Sequence, residues 1–162
     1  MRRNIESGTL QAEMPIKLAA EKMGNVASAM TEVVCIIDHT ASVAEAARTL
    51  ADMHVTGAPV MLEERIVGVI SQTDLLRAQD SATPVTEVMN ETVYAVRPHD
   101  PLFLAVRLMV EQRIHRVIVV NDDGQLHGVV TSMDVLRVLA HGVSAESPLD
   151  YVDLRALTIT TS

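Results

Sequence analysis

Apolar residues fall on one helical face twice in this chain. Val43, Ala46, Ala47 and Leu50 recur at i, i+3, i+4 and i+7, and so do Leu102, Ala105, Val106 and Met109. That spacing predicts two amphipathic helices. Ser42 with Glu45 three residues on predicts a capping box for the first, and Asp100 before Pro101 predicts the start of the second. A short β-rich run precedes each helix, "EVVCII" and "ETVYAV", and two β-branched runs at hairpin spacing follow it: "APVML" with "IVGVI", then "VIVV" with "LHGVV". A further helix closes each half, beginning near Thr73 and Met133 and ending by Gln79 and His141. The order β-α-β-β-α, met twice, predicts an α/β protein with two small sheets related by a pseudo-twofold axis.

The two halves also match residue by residue. "VASAM" from Val26 falls on "VTEVM" from Val85, an offset of 59, and "RTLADMHVTGAPVM" falls on "RLMVEQRIHRVIVV" at the same offset. Gly68 meets Gly128 at 60, the slip lying where "EER" faces "DDGQL", a polar turn in which length changes cost little. Each half is therefore one supersecondary unit burying its apolar face against the other. The chain divides into an extension over 1–25 with a short helix after Pro15, a first repeat over 26–82, a second over 83–141, and a tail over 142–162 whose "DYVDLRAL" suits a helix formed on docking.

Composition narrows the classes. Of the 162 residues 48% are hydrophobic and 21% charged, yet no apolar run at either end is long enough to span a bilayer. The basic "MRRN" is followed by "IESGTLQAEM" rather than an apolar core and cleavage site, which points away from a secretory signal and to the cytoplasm. A net charge of −8 argues against nucleic-acid binding, and 2% aromatic residues with no Trp remove the stacking platforms of single-strand binders. The lone Cys35 excludes an internal disulfide and, inside "VVCII", reads as a buried small hydrophobe. The six His lack metal-ligand spacing, and Glu63, Glu64, Asp122 and Asp123 fall in hairpin turns as solvated tips. Neither a nucleophile with its base nor a Gly-rich phosphate loop is recognisable, so no enzyme, catalytic cofactor or metal is expected.

The closing stretches "GVISQTD" and "GVVTSMD" share the pattern G-h-h-[ST]-x-x-D, with h apolar. A carboxylate at a helix start can accept both hydroxyls of a ribose, and the free amides of the first turn favour an anion nearby. An Asp there is equally favourable as a cap with no ligand.

With the "AM" and "VM" before each first strand, and "HVTGAPVM" and "RIHRVIVV" after each helix, these motifs resemble the CBS-domain family, named after cystathionine β-synthase, over about Val26 to Ala140. Its units occur in tandem as Bateman modules. The resemblance implies a disc-like homodimer, two adenosine-ligand clefts between the repeats, and a regulatory role. It places Asp134, Thr131, His115 and Arg116 in one cleft, with Thr31 and Ile36 as its adenine wall. The other joins Ser71, Thr73 and Asp74 to Asn90 and Ala95. Thr31 and Asn90 read equally well as turn residues, and Ile36 and Ala95 as core.

His115 and Arg116 give the first of these clefts a phosphate partner, whereas the matching Thr56 and Gly57 carry no charge. AMP, ADP or ATP is accordingly expected at the former, and a less charged adenosine compound, or none, at the latter. NAD and S-adenosylmethionine also present an adenosine. The function implied is a stand-alone regulatory module signalling through a dimer surface or an unidentified effector protein, with no nucleic-acid or membrane partner. The alternative is a structural platform with vestigial clefts.

Overall fold

The computed structural model describes residues 23–142; the helix expected after Pro15 and the tail from 143 onward lie outside them. The first half contains β1 (Ile37–Asp38), α1 (Val43–Asp52), β2 (Gly57–Leu62), β3 (Arg65–Ser71) and α2 (Gln72–Arg77). The second contains β4 (Ala95–Val96), α3 (Leu102–Gln112), β5 (Arg116–Val120), β6 (Leu126–Thr131) and α4 (Ser132–Gly142). Two three-stranded sheets result, ordered β1-β2-β3 and β4-β5-β6. In each, the first strand runs parallel to the second, which α1 or α3 makes possible by crossing over, and the last two form an antiparallel hairpin. The predicted β-α-β-β-α order thus occurs twice. Among the described residues no helix is long and apolar enough to cross a membrane.

Local chemistry explains the helix starts. Ser42 N donates to Glu45 Oε2 at 2.8 Å and Glu45 N donates to Ser42 Oγ at 3.3 Å, the predicted capping box, which holds the Glu45 carboxyl below its usual range. Val43, Ala46 and Leu50 are buried, while Ala47, the fourth residue of the predicted stripe, stays exposed. α3 starts directly after Pro101, as expected, but without a capping box. Pro101 is the N-cap and makes no side-chain bond, and the Asp100 carboxylate accepts from Arg97 N at 2.7 Å. The amide of Leu102 donates instead to Gly24 O at 3.0 Å, so the start of α3 is tied to the chain that leads into the first repeat.

That tie belongs to an exchange between the halves. The 3₁₀ turn Val26–Ser28 opens the first repeat in sequence, yet Val26, 0% exposed, lies in the core of the second with Val96, Leu102, Ala105 and Val130. The turn Val85–Glu87 opens the second repeat, and Val85, also 0% exposed, lies in the core of the first with Ile37, Val43, Leu50 and Ile70. Backbone pairs repeat the exchange. Thr31 N donates to Val129 O at 2.9 Å and Val129 N to Thr31 O at 3.0 Å, while Val69 and Asn90 bond reciprocally at 2.9 Å each way. Reciprocal contacts of this kind are the signature of a twofold relation.

The crossing also explains the short first strands and the motif glycines. Of "EVVCII" only Ile37 enters its two-residue strand, and of "ETVYAV" only Ala95 and Val96, because the rest of each segment travels between the two halves. A Cβ on Gly68 would stand 2.6 Å from Met89 Sδ and 3.0 Å from Asn90 O, and one on Gly128 would stand 2.8 Å from Thr31 O. The glycine of each G-h-h-[ST]-x-x-D motif is the place where the other repeat's chain crosses over the sheet.

Val85→Ala is expected to lower stability by about 2 kcal/mol, as for other losses of buried methyl groups. Hydrogen exchange should speed up first over residues 37–71, across the exchange, rather than over 95–131; preferential loss in the second repeat would contradict the crossed cores.

Candidate functional site

The junction of β3 and α2 is built by its own sequence. Ser71 is the extended N-cap of α2; its amide donates to Asp74 Oδ2 at 2.9 Å and its hydroxyl donates to the same oxygen at 2.5 Å. Asp74 N in turn donates to Ser71 Oγ at 3.3 Å. Ser71 and one oxygen of Asp74 therefore serve the helix. Among the described residues the other oxygen, Oδ1, has only Arg77 Nη1 at 3.9 Å, and the side chain is 24% exposed. Thr73 makes no side-chain hydrogen bond among the described residues, and it lines a cavity together with Asp74.

The equivalent junction of β6 and α4 starts the same way, with Thr131 N and Oγ1 donating to Asp134 Oδ2 at 2.8 and 2.6 Å. It ends differently. Arg137 Nη1 donates to Asp134 Oδ1 at 2.6 Å and the Asp134 side chain is 7% exposed, so both carboxylate oxygens are engaged within α4 and its cap.

A cavity of about 610 Å³ opens at the first junction, inside the range of small-molecule sites. One wall is Ser71, Thr73 and Asp74 with Thr56; the other is Arg113, Ile114, His115 and Arg116, the approach to β5; Asn90, Thr92 and Tyr94 cross between them. Arg113 ends α3 in the left-handed conformation, φ 54°, which turns the chain from helix into strand. Tyr94 is the aromatic residue of the lining, and its hydroxyl donates to Gln112 Oε1 at 2.7 Å. The lining holds two arginines, Arg113 and Arg116, against a single carboxylate, Asp74, so the cavity favours anions within a chain whose net charge is −8.

Arg116 ties the two repeats together here. Its Nη1 donates to Gly57 O and its Nη2 to Thr56 Oγ1. Gly57 and Arg116 are equivalent positions at the offset of 59, so the pseudo-twofold axis passes between them, and a Cβ on Gly57 would stand 3.0 Å from Arg116 Nη1. Glycine on one side leaves the axis to one arginine. Burial desolvates the guanidinium and lowers its pKa, and among the described residues no carboxylate pairs with it.

This geometry groups the candidate residues differently from expectation. Ser71, Thr73, Asp74 and Asn90 share the cavity with His115 and Arg116, which had been assigned to Thr131 and Asp134. The reason is the axis: the starts of β2 and β5 meet there, so a long side chain at the start of β5 reaches the first repeat. Thr131, Asp134, Thr31, Ile36 and Ala95 are not in this lining. Thr31 is held by its backbone bridge to Val129, and Ile36 is 50% exposed. Tyr94 was missed in favour of its neighbour Ala95; successive residues of an extended chain face opposite ways, and a tyrosine in a chain with 2% aromatics was the available signal. Cys35 is only partly buried against the first core, with its thiol pKa raised by that burial.

The two acids should separate in a stability test. Asp74→Ala is expected to cost about 1 kcal/mol, a lost capping interaction, and Asp134→Ala clearly more, because Arg137 and Thr131 lose a buried partner. Urea denaturation of both variants checks the order; equal losses would contradict the difference in engagement.

Comparison with known proteins places this geometry. The CBS-domain profile matches residues 25–81 and 85–141. An uncharacterized protein of Methanocaldococcus jannaschii is 28% identical over 108 residues, 66% of this chain and 36% of that protein. An inosine-5′-monophosphate dehydrogenase of Korarchaeum cryptofilum is 29% identical over 100 residues, 62% of this chain and 21% of the enzyme. The chain thus spans about a fifth to a third of the length of these relatives. Among solved structures, a CBS domain protein from Pyrobaculum aerophilum complexed with AMP superposes with a TM-score of 0.65 at 28% identity, covering 72% of this chain and 98% of that one. A CBS domain pair in complex with 5′-methylthioadenosine and S-adenosyl-L-methionine has a TM-score of 0.66 at 25% identity, covering 71% and 98%.

Proposed function

The chain belongs to the CBS-domain family as a tandem pair, and from that premise we propose that it is a regulatory module binding an adenosine 5′-phosphate in the cavity beside α2. The observation that carries the reading is the composition of that one cavity: a carboxylate with a spare oxygen on one wall and two arginines and a histidine on the other. Asp74 Oδ1 would accept the ribose hydroxyls. Arg116 and Arg113 would take the phosphate, the guanidinium fork matching it better than a point charge does. Tyr94 with Ile118 offers an apolar face for the base.

The AMP complex of the Pyrobaculum protein supports this ligand class, and the cationic wall favours a phosphate-bearing adenosine over a sulfonium or thioether one. For the Thr131–Asp134 junction the platform reading is the better supported one, since Asp134 is engaged by Arg137. The output proposed is a homodimer or effector surface. Leu76, 85% exposed on α2, and Met133 and Leu136, exposed on α4, are the apolar side chains a second copy would cover.

Calorimetric titration with AMP is expected to show saturable binding of one nucleotide per chain. Arg116→Ala should weaken AMP about 10- to 100-fold, the loss of a charged hydrogen-bonding partner, and leave adenosine nearly unchanged. Absence of saturable binding by AMP, ADP, ATP and adenosine at millimolar concentration would turn the assignment to the structural platform.

A further inference from the structure

Arg116 does more in this structure than line a cavity: its donors hold two acceptors of the other repeat at the pseudo-twofold axis. Both acceptors, Gly57 O and Thr56 Oγ1, are neutral and sit on two different groups, whereas an oxyanion attracts the guanidinium by charge as well and can take both arms of its fork at once. Arg116 and Thr56 both line the cavity, so the donors that tie the repeats face the space where an anion would lie. We propose that the Arg116 guanidinium is a releasable strap, exchanging Thr56 and Gly57 for the anionic group of the ligand, so that binding unfastens the starts of β2 and β5 from each other. The inference rests on the ligand reading above and adds to it the means by which occupancy changes the contact between repeats.

The surroundings fit an exchange rather than a fixed brace. Gly57 presents no side chain to the guanidinium, and among the described residues no acid pairs with it in place. Its partial burial lowers its pKa, so an anion entering the cavity compensates a desolvated charge. Thr56 and Gly57 lead directly into β2, whose register with β3 begins at Gly57 and Ser71, the cap of α2. Letting go of Gly57 therefore acts on the same junction that carries Asp74.

A counterintuitive consequence tests this. Thr56→Val removes one acceptor that competes with the ligand, so AMP should bind about tenfold tighter, the equivalent of one hydrogen bond to a charged group. Adenosine, which has no anionic group to draw Arg116 away, should bind as before, and Thr56→Ser should behave as the parent for both. Thr56 is exposed, and a thermal melt verifies that the variants fold. AMP binding that is unchanged or weaker in Thr56→Val, or equal tightening for AMP and adenosine, would overturn the strap while leaving the site intact. If the parent protein bound neither AMP nor adenosine, the site and the strap would fall together.

Discussion

The exchange of leading turns is the constraint on which the rest of this molecule depends. Val26 and Val85 are each wholly buried in the core of the half to which, by sequence, they do not belong. Neither β-hairpin with its helices closes its own core, as expected of small units that must bury one face against a neighbour. The exchange carries the segment after each turn over the opposite sheet, where Thr31 pairs with Val129 and Asn90 with Val69. The candidate site follows from that path: Asn90, Thr92 and Tyr94 come to the β3–α2 junction because they lie just after a turn anchored in the first core.

Duplication supplies two junctions, and substitution at a few positions makes them unlike. At the axis one repeat has glycine and the other arginine. In the first turn of α2 a threonine occupies the place that methionine holds in α4. The i+3 arginine lies 3.9 Å from Asp74 but 2.6 Å from Asp134. The first junction gathers cations and keeps an acceptor free, whereas the second satisfies its acid internally.

How much of this was legible in the sequence divides by the range of the interaction. Period and capping chemistry act within a few residues, so the helices, the hairpins and the Ser42–Glu45 box could be read directly. The offset of 59 made the repeat plain. Asp100 and Pro101 marked the start of α3 correctly, but the bond from Leu102 to Gly24, from the segment leading into the first repeat, spans too long a stretch of chain to be read from the sequence. Sequence equivalence pairs Arg116 with Gly57, but only the placement of the axis shows that the pair are neighbours in space, which sets the arginine in one lining with Ser71 and Asp74. Side-chain direction decided between Tyr94 and Ala95, and the two-residue β4 was too short for alternation to declare itself.

The pairing of Thr31 with Val129 bears on the order in which the chain can fold. It closes a loop of about 100 residues, and contacts of such separation form late because the entropy of loop closure comes before their reward. The first half meets its missing Val85 soon after its own hairpin is made. The second must wait for Val26 from far upstream, so the segment around Val26 remains without its native partners until β5 and β6 exist. The first core is therefore expected to close ahead of the second, which closes only when the segment around Val26 is brought back to it.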